Sequence, residues 1–324
     1  MLDETCEAAS RPIRLGVSRC LLGDHVRYDG GHKRDSFVVE VLGRFVEWVP
    51  VCPEVEAGFG VPREAMRLVG NPRHPRLLTV HSACDRTEEM ARFSEERVRE
   101  LEALDLSGFV FKKDSPSCGV ERVRVFNSQG IPSLKGVGLF ARAFVQRFPL
   151  IPVEEEGRLC DPVLREHFIE RVFCYRRWRD LLKKRVTRQA IVDFHTVHQY
   201  LLLAHSREHF QRLGRLMANA HRYRPLDLAR RYGAGIMEAL KTTATVYKHA
   251  SVLRRIASHM MGLLKASERE ELRDVIEDYH RGLVPLVVPI TLLKHYVRAY
   301  NVAALRNQVY LNPHPKEFML RNHV

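Results

Sequence analysis

Three short apolar runs in the first half of this chain each end at a cysteine, and that repetition constrains the fold more than any other feature. Ile13-Arg-Leu-Gly-Val17 leads to Cys20, Val46-Glu-Trp-Val-Pro-Val51 to Cys52, and Phe109-Val-Phe111 to Cys118. Runs of this length, rich in Val, Ile and Phe and closed by Gly or Pro, read as buried strands. Between them the apolar residues recur at helical spacing, over 36–45, 87–104 and 139–148. Leu77 to Val80 reads as a further short strand, after a Gly- and Pro-rich loop over 58–75. The alternation predicts an α/β domain over 11–155, Rossmann-like with a mostly parallel sheet, preceded by a tail over 1–10. In such a sheet the loops at the carboxyl ends of the strands share one crevice, where ligands bind. Cys20, Cys52 and Cys118 are therefore expected to meet there.

Pro149, Pro152, Glu154-Glu-Glu-Gly157 and Pro162 break the pattern and read as a linker. Beyond it, residues 156–324 are almost wholly helical in period and predict an all-α bundle. Helices are expected over 165–184, 188–204, 208–219, 236–264, 267–282 and 290–305. The charge divides at the same place. Residues 1–160 hold 23 Lys and Arg against 24 Asp and Glu, a net of −1; residues 161–324 hold 29 against 15, a net of +14. A basic excess confined to one half points to a polyanionic partner, nucleic acid above all, although a basic solvated surface has the same composition. Arg176-Arg-Trp-Arg179, Lys183-Lys-Arg185 and Arg254-Arg255, interleaved with Tyr175, Trp178, Tyr223 and Tyr232, suit backbone contacts plus base stacking.

The N-terminus is acidic and lacks an apolar stretch, so no secretory signal is expected. The longest apolar run, Leu283 to Leu293, is too short to span a bilayer and contains Pro285 and Pro289. A cytoplasmic protein is expected, in which the seven cysteines are thiols, metal ligands or nucleophiles rather than disulfides. Cys6, Cys84, Cys160 and Cys174 lack the strand-exit setting and read as incidental thiols. No Cys-x-x-Cys pair is present, which disfavours a structural zinc site. Three cysteines without a fourth suit a 4Fe–4S cluster with one iron left open as a Lewis acid. A Cys118 nucleophile, or three buried strand-end thiols, account for the same pattern. Glu54, two residues after Cys52, is placed to act as a general base if that site holds a metal. Ser115 and Ser117 are candidate hydrogen-bond donors to a substrate, or else turn residues. Lys112, Lys113, Tyr28, Asp29 and His32 are weaker candidates. His205-Ser-Arg-Glu-His209 has the spacing of a short zinc motif, but a helix boundary near Ala204 to Ser206 would separate its ligands.

Ser18-Arg-Cys-Leu-Leu-Gly23, Val26-Arg-Tyr-Asp-Gly30, Val51-Cys-Pro-Glu54, Pro62-Arg63 and Ser115-Pro-Ser-Cys-Gly119 together resemble the thiouracil desulfidase (TudS-like) family. Tyr247-Lys-His-Ala-Ser-Val-Leu253, Val288-Pro-Ile-Thr-Leu-Leu293, His295-Tyr296 and Tyr310-Leu-Asn-Pro-His-Pro315 resemble the YbgA-type helical domain. The tandem is similar to bacterial desulfidases that remove sulfur from 4-thiouridine in tRNA. The resemblance implies a 4Fe–4S cluster held by Cys20, Cys52 and Cys118, with Glu54 and Ser115 in catalysis. It implies uridine and hydrogen sulfide as products, and tRNA docked by the basic helical half. The alternatives are a desulfidase of free thiouracil or 4-thiouridine nucleotides, a metal-free Cys118 transferase, and a nucleic-acid-binding protein whose cluster is structural or sensing.

Overall fold

The computed structural model describes residues 12–322; the expected N-terminal tail and Cys6 lie outside the described residues. The chain divides into two compact units between Cys160 and Asp161.

The first unit is built on a four-stranded parallel sheet, ordered β2-β1-β5-β8. Its strands are β1 (Ile13–Ser18), β2 (Val46–Val51), β5 (Gly108–Phe111) and β8 (Val153–Glu155). Strand β1 pairs with β2 through Ser18 opposite Val51, and with β5 through Val17 opposite Val110. The central strands β1 and β5 are largely buried apolar runs because both faces are covered, whereas the edge strand β2 exposes Glu47 and Pro50. Gly16 is required in β1, since a Cβ there would lie 2.1 Å from the Phe109 ring. Phe109 and Phe111 stack at 4.0 Å, and Phe144 of α3 (Leu139–Arg147) meets both edge-on.

A second sheet, ordered β4-β3-β6-β7, comprises β3 (Met66–Asn71), β4 (His74–Thr79), β6 (Val123–Phe126) and β7 (Pro132–Gly136). It closes around Leu68, Leu77, Val123 and Val125, with Met90 of α2 (Thr87–Glu102) in the same core. Part of the expected 58–75 loop is thus strand β3. Its Gly70 and Pro72 belong to the β3–β4 hairpin, whose pairing register supplies the alternation that turn residues mask in the sequence. The segment over 36–45 is a short π turn followed by a 3-10 turn. The acids expected in a linker instead form β8, paired with β5 through Phe111 opposite Glu155. The expected boundary at 155–156 lies at the end of β8, a few residues before the division between the two units.

The second unit is helical: α4 (Pro162–Leu182), α5 (Arg188–His205), α6 (Arg207–Ala218), α7 (Pro225–Ala239), α8 (Val246–Ser258), α9 (Ala266–His280), α10 (Val287–Ala299) and the short α11 (Ala303–Arg306). Side-chain caps set several starts: Asp161 accepts from Val163 and Leu164 N–H, Thr187 from Ala190, and Thr245 from Lys248. The single helix expected over 236–264 is two. Helix α7 ends at Ala239, and Thr245 caps a new start, so the apolar period continues across a break that it cannot reveal. Trp178, Phe194 and Tyr232 form the aromatic centre, and Gly233 lets Trp178 approach its backbone. Among the described residues no helix is long and apolar enough to cross a membrane.

Candidate active site

In sheet order β2-β1-β5, three adjacent parallel strands deliver Cys52, Cys20 and Cys118 to the same edge. The chain runs from β1 outward to β2 and later returns to the other side of β1 as β5. The gap between β1 and β5 is therefore the topological switch point, where open α/β sheets bind ligands. A cavity of about 480 Å³ opens there, lined by all three cysteines together with Glu54 and Ser115.

Each cysteine sits in a turn that its strand imposes. Cys20 lies in a 3-10 turn ended by Gly23 at φ +104°. Cys52 is the residue before α1 (Pro53–Glu56), where Pro53 takes the first helical position, and the Glu56 carboxylate accepts the Cys52 N–H at 2.7 Å. Cys118 follows a turn closed by Ser115, whose Oγ accepts from the Ser117 and Cys118 N–H groups at 3.2 and 3.0 Å. Helix α3 abuts this turn. Leu139 and Ala141 N–H donate to the Pro116 and Ser117 carbonyls, and a Cβ on Gly138 would lie 2.5 Å from the Ser117 carbonyl. From the far side, Glu155 accepts the Val120 N–H and Glu156 accepts the Lys113 N–H. Glu155 at the end of β8 and Glu156 just after it thus hold the cysteine loop.

Glu54 occupies the first turn of α1, with little of its side chain exposed. Ser117, fully buried, donates its hydroxyl to Glu54 Oε1 at 2.8 Å. Arg63 donates to Oε2 through Nε at 2.9 Å and Nη2 at 2.5 Å. Arg63 also donates to the Val26 and Gly60 carbonyls, so one guanidinium ties Glu54 to the loop after Cys20. The sequence alone assigns Arg63 no role, and it offers Ser117 only as a donor to substrate or a turn residue. The signal for Arg63 is its position in the Pro62-Arg63 motif. Nothing in a one-dimensional pattern pairs it with Glu54.

The weaker candidates separate. Lys112 Nζ is engaged by Glu156 at 2.5 Å and by the Lys113 carbonyl at 3.0 Å. Lys113 lines the cavity beside Asp114. Tyr28 lines it too, whereas the Asp29 carboxylate is turned to the Gly31 N–H and His32 packs edge-on against His25. Cys84 and Cys160 are exposed, and burial pushes the Cys174 thiol up to about 12. His205 ends α5 and Ser206 caps the start of α6, so the two histidines of the zinc-like motif sit on different helices.

Burial, and next the nearby Cys52, push the Cys20 thiol up to about 11. Burial raises Cys52 as well, and raises Cys118 strongly, against a hydrogen bond from Ser18. Left to themselves these thiols stay protonated at neutral pH, which disfavours an unassisted Cys118 nucleophile. Held together as thiolates they require a cationic centre. Among the described residues no group of three His, Cys, Asp or Glu side chains converges as a single ion needs. Three cysteine sulfurs lining one cavity are the donor type that iron–sulfur clusters take.

Residues 15–156 match the 2-thiouracil desulfurase family, and residues 199–315 match a family described as a protein of unknown function, DUF1722. The chain is 29% identical over 153 residues to the uncharacterized protein YbgA of Escherichia coli, covering 47% of this chain and 90% of that protein. It is 29% identical over 108 residues to the uncharacterized protein YbbK of Bacillus subtilis, covering 32% and 71%. A solved structure described as a [4Fe-4S]-dependent thiouracil desulfidase, TudS, is 30% identical, with a TM-score of 0.39 over 46% of this chain and 93% of that one. The strand-exit cysteine motifs thus lie in the desulfurase match, and the chain is a fusion of a TudS-like desulfurase domain with a YbgA-type helical domain.

Proposed function

We propose that this chain removes sulfur from 4-thiouridine in tRNA, giving uridine and hydrogen sulfide, with a 4Fe–4S cluster held by Cys20, Cys52 and Cys118. The observation that carries the reading is the common cavity of the three strand-exit cysteines and the clamped Glu54 carboxylate. A cluster with three cysteine ligands would supply an open iron, a Lewis acid matched to a soft thiocarbonyl sulfur.

The chain's own residues supply the rest. Arg63 and Ser117 hold the two carboxylate oxygens of Glu54 in place, so the group meets its substrate already oriented. Glu54 takes a proton from water as the water oxygen attacks carbon 4 of the base. The Ser115 hydroxyl, its oxygen already accepting two N–H groups, keeps its hydrogen for the base or for the oxygen added to it. Breaking the carbon–sulfur bond releases hydrosulfide. Water supplies the oxygen of the new carbonyl, and no electrons are transferred overall.

The helical unit offers the partner surface. Arg207, Arg212, Arg215, Arg222, Arg224 and Arg231 are exposed and make no ion pair with described residues. This supports phosphate contact without base readout. The interleaved aromatics expected to stack on bases do not support it. Tyr175, Trp178 and Tyr232 are core residues, and Tyr223 is covered by Arg231 at 5.3 Å. Arg176 is buried as well and Arg177 half-buried, with Arg176 on Asp180 and Arg177 on His198 and the Pro313 carbonyl. Their helical period serves the core.

Comparing kcat/KM for 4-thiouridine in tRNA and for the free nucleotide tests the substrate. A clear preference for tRNA that collapses with added salt supports the proposal. Equal rates independent of salt would assign the enzyme to free nucleotides.

A further inference from the structure

The helical unit contains a cavity of its own, about 350 Å³, within the range that holds small molecules. Val163, Val246, Val284 and Leu286 give it aliphatic walls. A set of buried charged groups lies against one side, two carboxylates sharing one guanidinium. Arg321 donates to Glu166 and Glu170 and to the Tyr310 carbonyl. His205 meets Glu170 Oε2 at 3.2 Å and the Thr242 carbonyl at 2.7 Å.

Two other lining residues are different. His167 is 7% exposed and Tyr279 is 6% exposed. His167 Nε2 lies 2.6 Å from the Leu240 carbonyl, which can only accept, so Nε2 carries the proton and Nδ1 presents a lone pair. Burial holds this imidazole down at about 4, so it stays neutral and its Nδ1 stays an acceptor. Neither Nδ1 of His167 nor the Tyr279 hydroxyl has a hydrogen-bond partner among the described residues. Burial, and next Glu166, push the Tyr279 phenol up, so it remains a donor. Both atoms still reach the cavity, so a donor and an acceptor are offered there to whatever enters it.

Together they specify a ligand. It is not anionic, because two carboxylates face a single guanidinium at the wall. It has a flat apolar body, one N–H and one C=O. Those are the features of a lactam-type nucleobase edge. We propose that this cavity is a second nucleobase site, which takes a uracil-type base with its ring N–H on His167 Nδ1 and a carbonyl on the Tyr279 hydroxyl. The site deepens the RNA reading, and rests on it only for the source of the base. A base of bound RNA and a free nucleoside share the chemistry.

The test uses the full-length chain with uridine and N3-methyluridine, whose methyl group removes the N–H. Tyr279→Phe deletes only a hydroxyl that has no partner in the described fold, so its melting temperature should equal or exceed the wild type's. Because both proteins share the cysteine-lined cavity, the difference between them reports this site alone. Equilibrium dialysis should show uridine affinity lowered about fivefold in the variant, and N3-methyluridine bound more weakly than uridine by wild type. Identical uridine binding by wild type and Tyr279→Phe, or equal binding of the methylated nucleoside, overturns the proposal. Salt-dependent tRNA binding with those negative results would leave the RNA reading standing without the site. A Tyr279-dependent uridine site in a chain that ignores tRNA would uphold the site and assign it to free nucleosides.

Discussion

The Ser117 hydroxyl donates to Glu54 Oε1 at 2.8 Å, linking the cysteine turn after β5 to the helix that follows β2. The same turn holds Cys118, and the same helix start holds Cys52. Anything that repositions one cysteine loop therefore repositions the carboxylate.

Ser117→Ala should slow desulfuration about tenfold or more, the usual weight of a hydrogen bond to a charged group. Iron content should be unchanged. Single-turnover rates beside iron analysis check this, and loss of iron in parallel with rate would instead make Ser117 a structural residue.

Glu54→Gln should lower kcat about 100-fold or more while preserving the visible absorbance of the protein. Arg63→Lys keeps the charge but cannot reach Glu54, Val26 and Gly60 together, so it should lose rate and also melt earlier. A Glu54→Gln enzyme with full kcat would remove Glu54 from the chemistry.

Gly138→Ala places a methyl 2.5 Å from the Ser117 carbonyl, with backbone rather than a flexible side chain in the way. Destabilisation of about 1–3 kcal/mol is expected, with weaker retention of iron, measured by denaturant unfolding and metal analysis.

His198 reports on the pH dependence of the helical unit. Its Nδ1 faces the Phe194 carbonyl and its Nε2 accepts from Arg177, and burial holds it down at about 3. The unfolded histidine takes a proton near pH 6.5 and the folded one does not. Stability therefore falls as pH drops below about 6.5, by at most about 1.4 kcal/mol per pH unit from this group. His198→Gln, which does not titrate, should flatten the slope between pH 6.5 and 4, as urea melts across that range would show.

Replacing Arg212, Arg215 and Arg222 together by Gln should weaken tRNA binding and reduce the salt slope by about 0.7–0.9 for each phosphate no longer neutralised. An unchanged slope would place the RNA elsewhere.

Much of the first unit was legible because the central strands β1 and β5, covered on both faces, announce themselves as apolar runs, and the turn after each parallel strand cannot avoid the carboxyl edge. The edge strand β2 was read from Val46, Trp48, Val49 and Val51 although Glu47 and Pro50 are exposed. Sheet order was not legible, nor was the second sheet, because β3 and β6 pair across a long separation that no local pattern records. Glu154, Glu155 and Glu156 looked like solvated linker charge. Their role appears only when β8 lies beside β5, where Glu155 and Glu156 reach the cysteine loop and Glu154 pairs with Arg158. In the helical unit, Arg176 and Trp178 read as an RNA-binding cluster because composition does not distinguish an inward-facing arginine from an outward one.

The most direct test is to purify the chain without oxygen, measure iron per protein, and add 4-thiouridine-containing tRNA while following the near-ultraviolet band of the thio-base. The expected result is a brown protein that bleaches that band with matching release of sulfide, and loss of both iron and turnover in Cys20→Ser, Cys52→Ser and Cys118→Ser. A colourless protein that binds no iron on anaerobic reconstitution, or three serine variants that keep iron and turn over normally, would contradict a desulfidase built on these three cysteines.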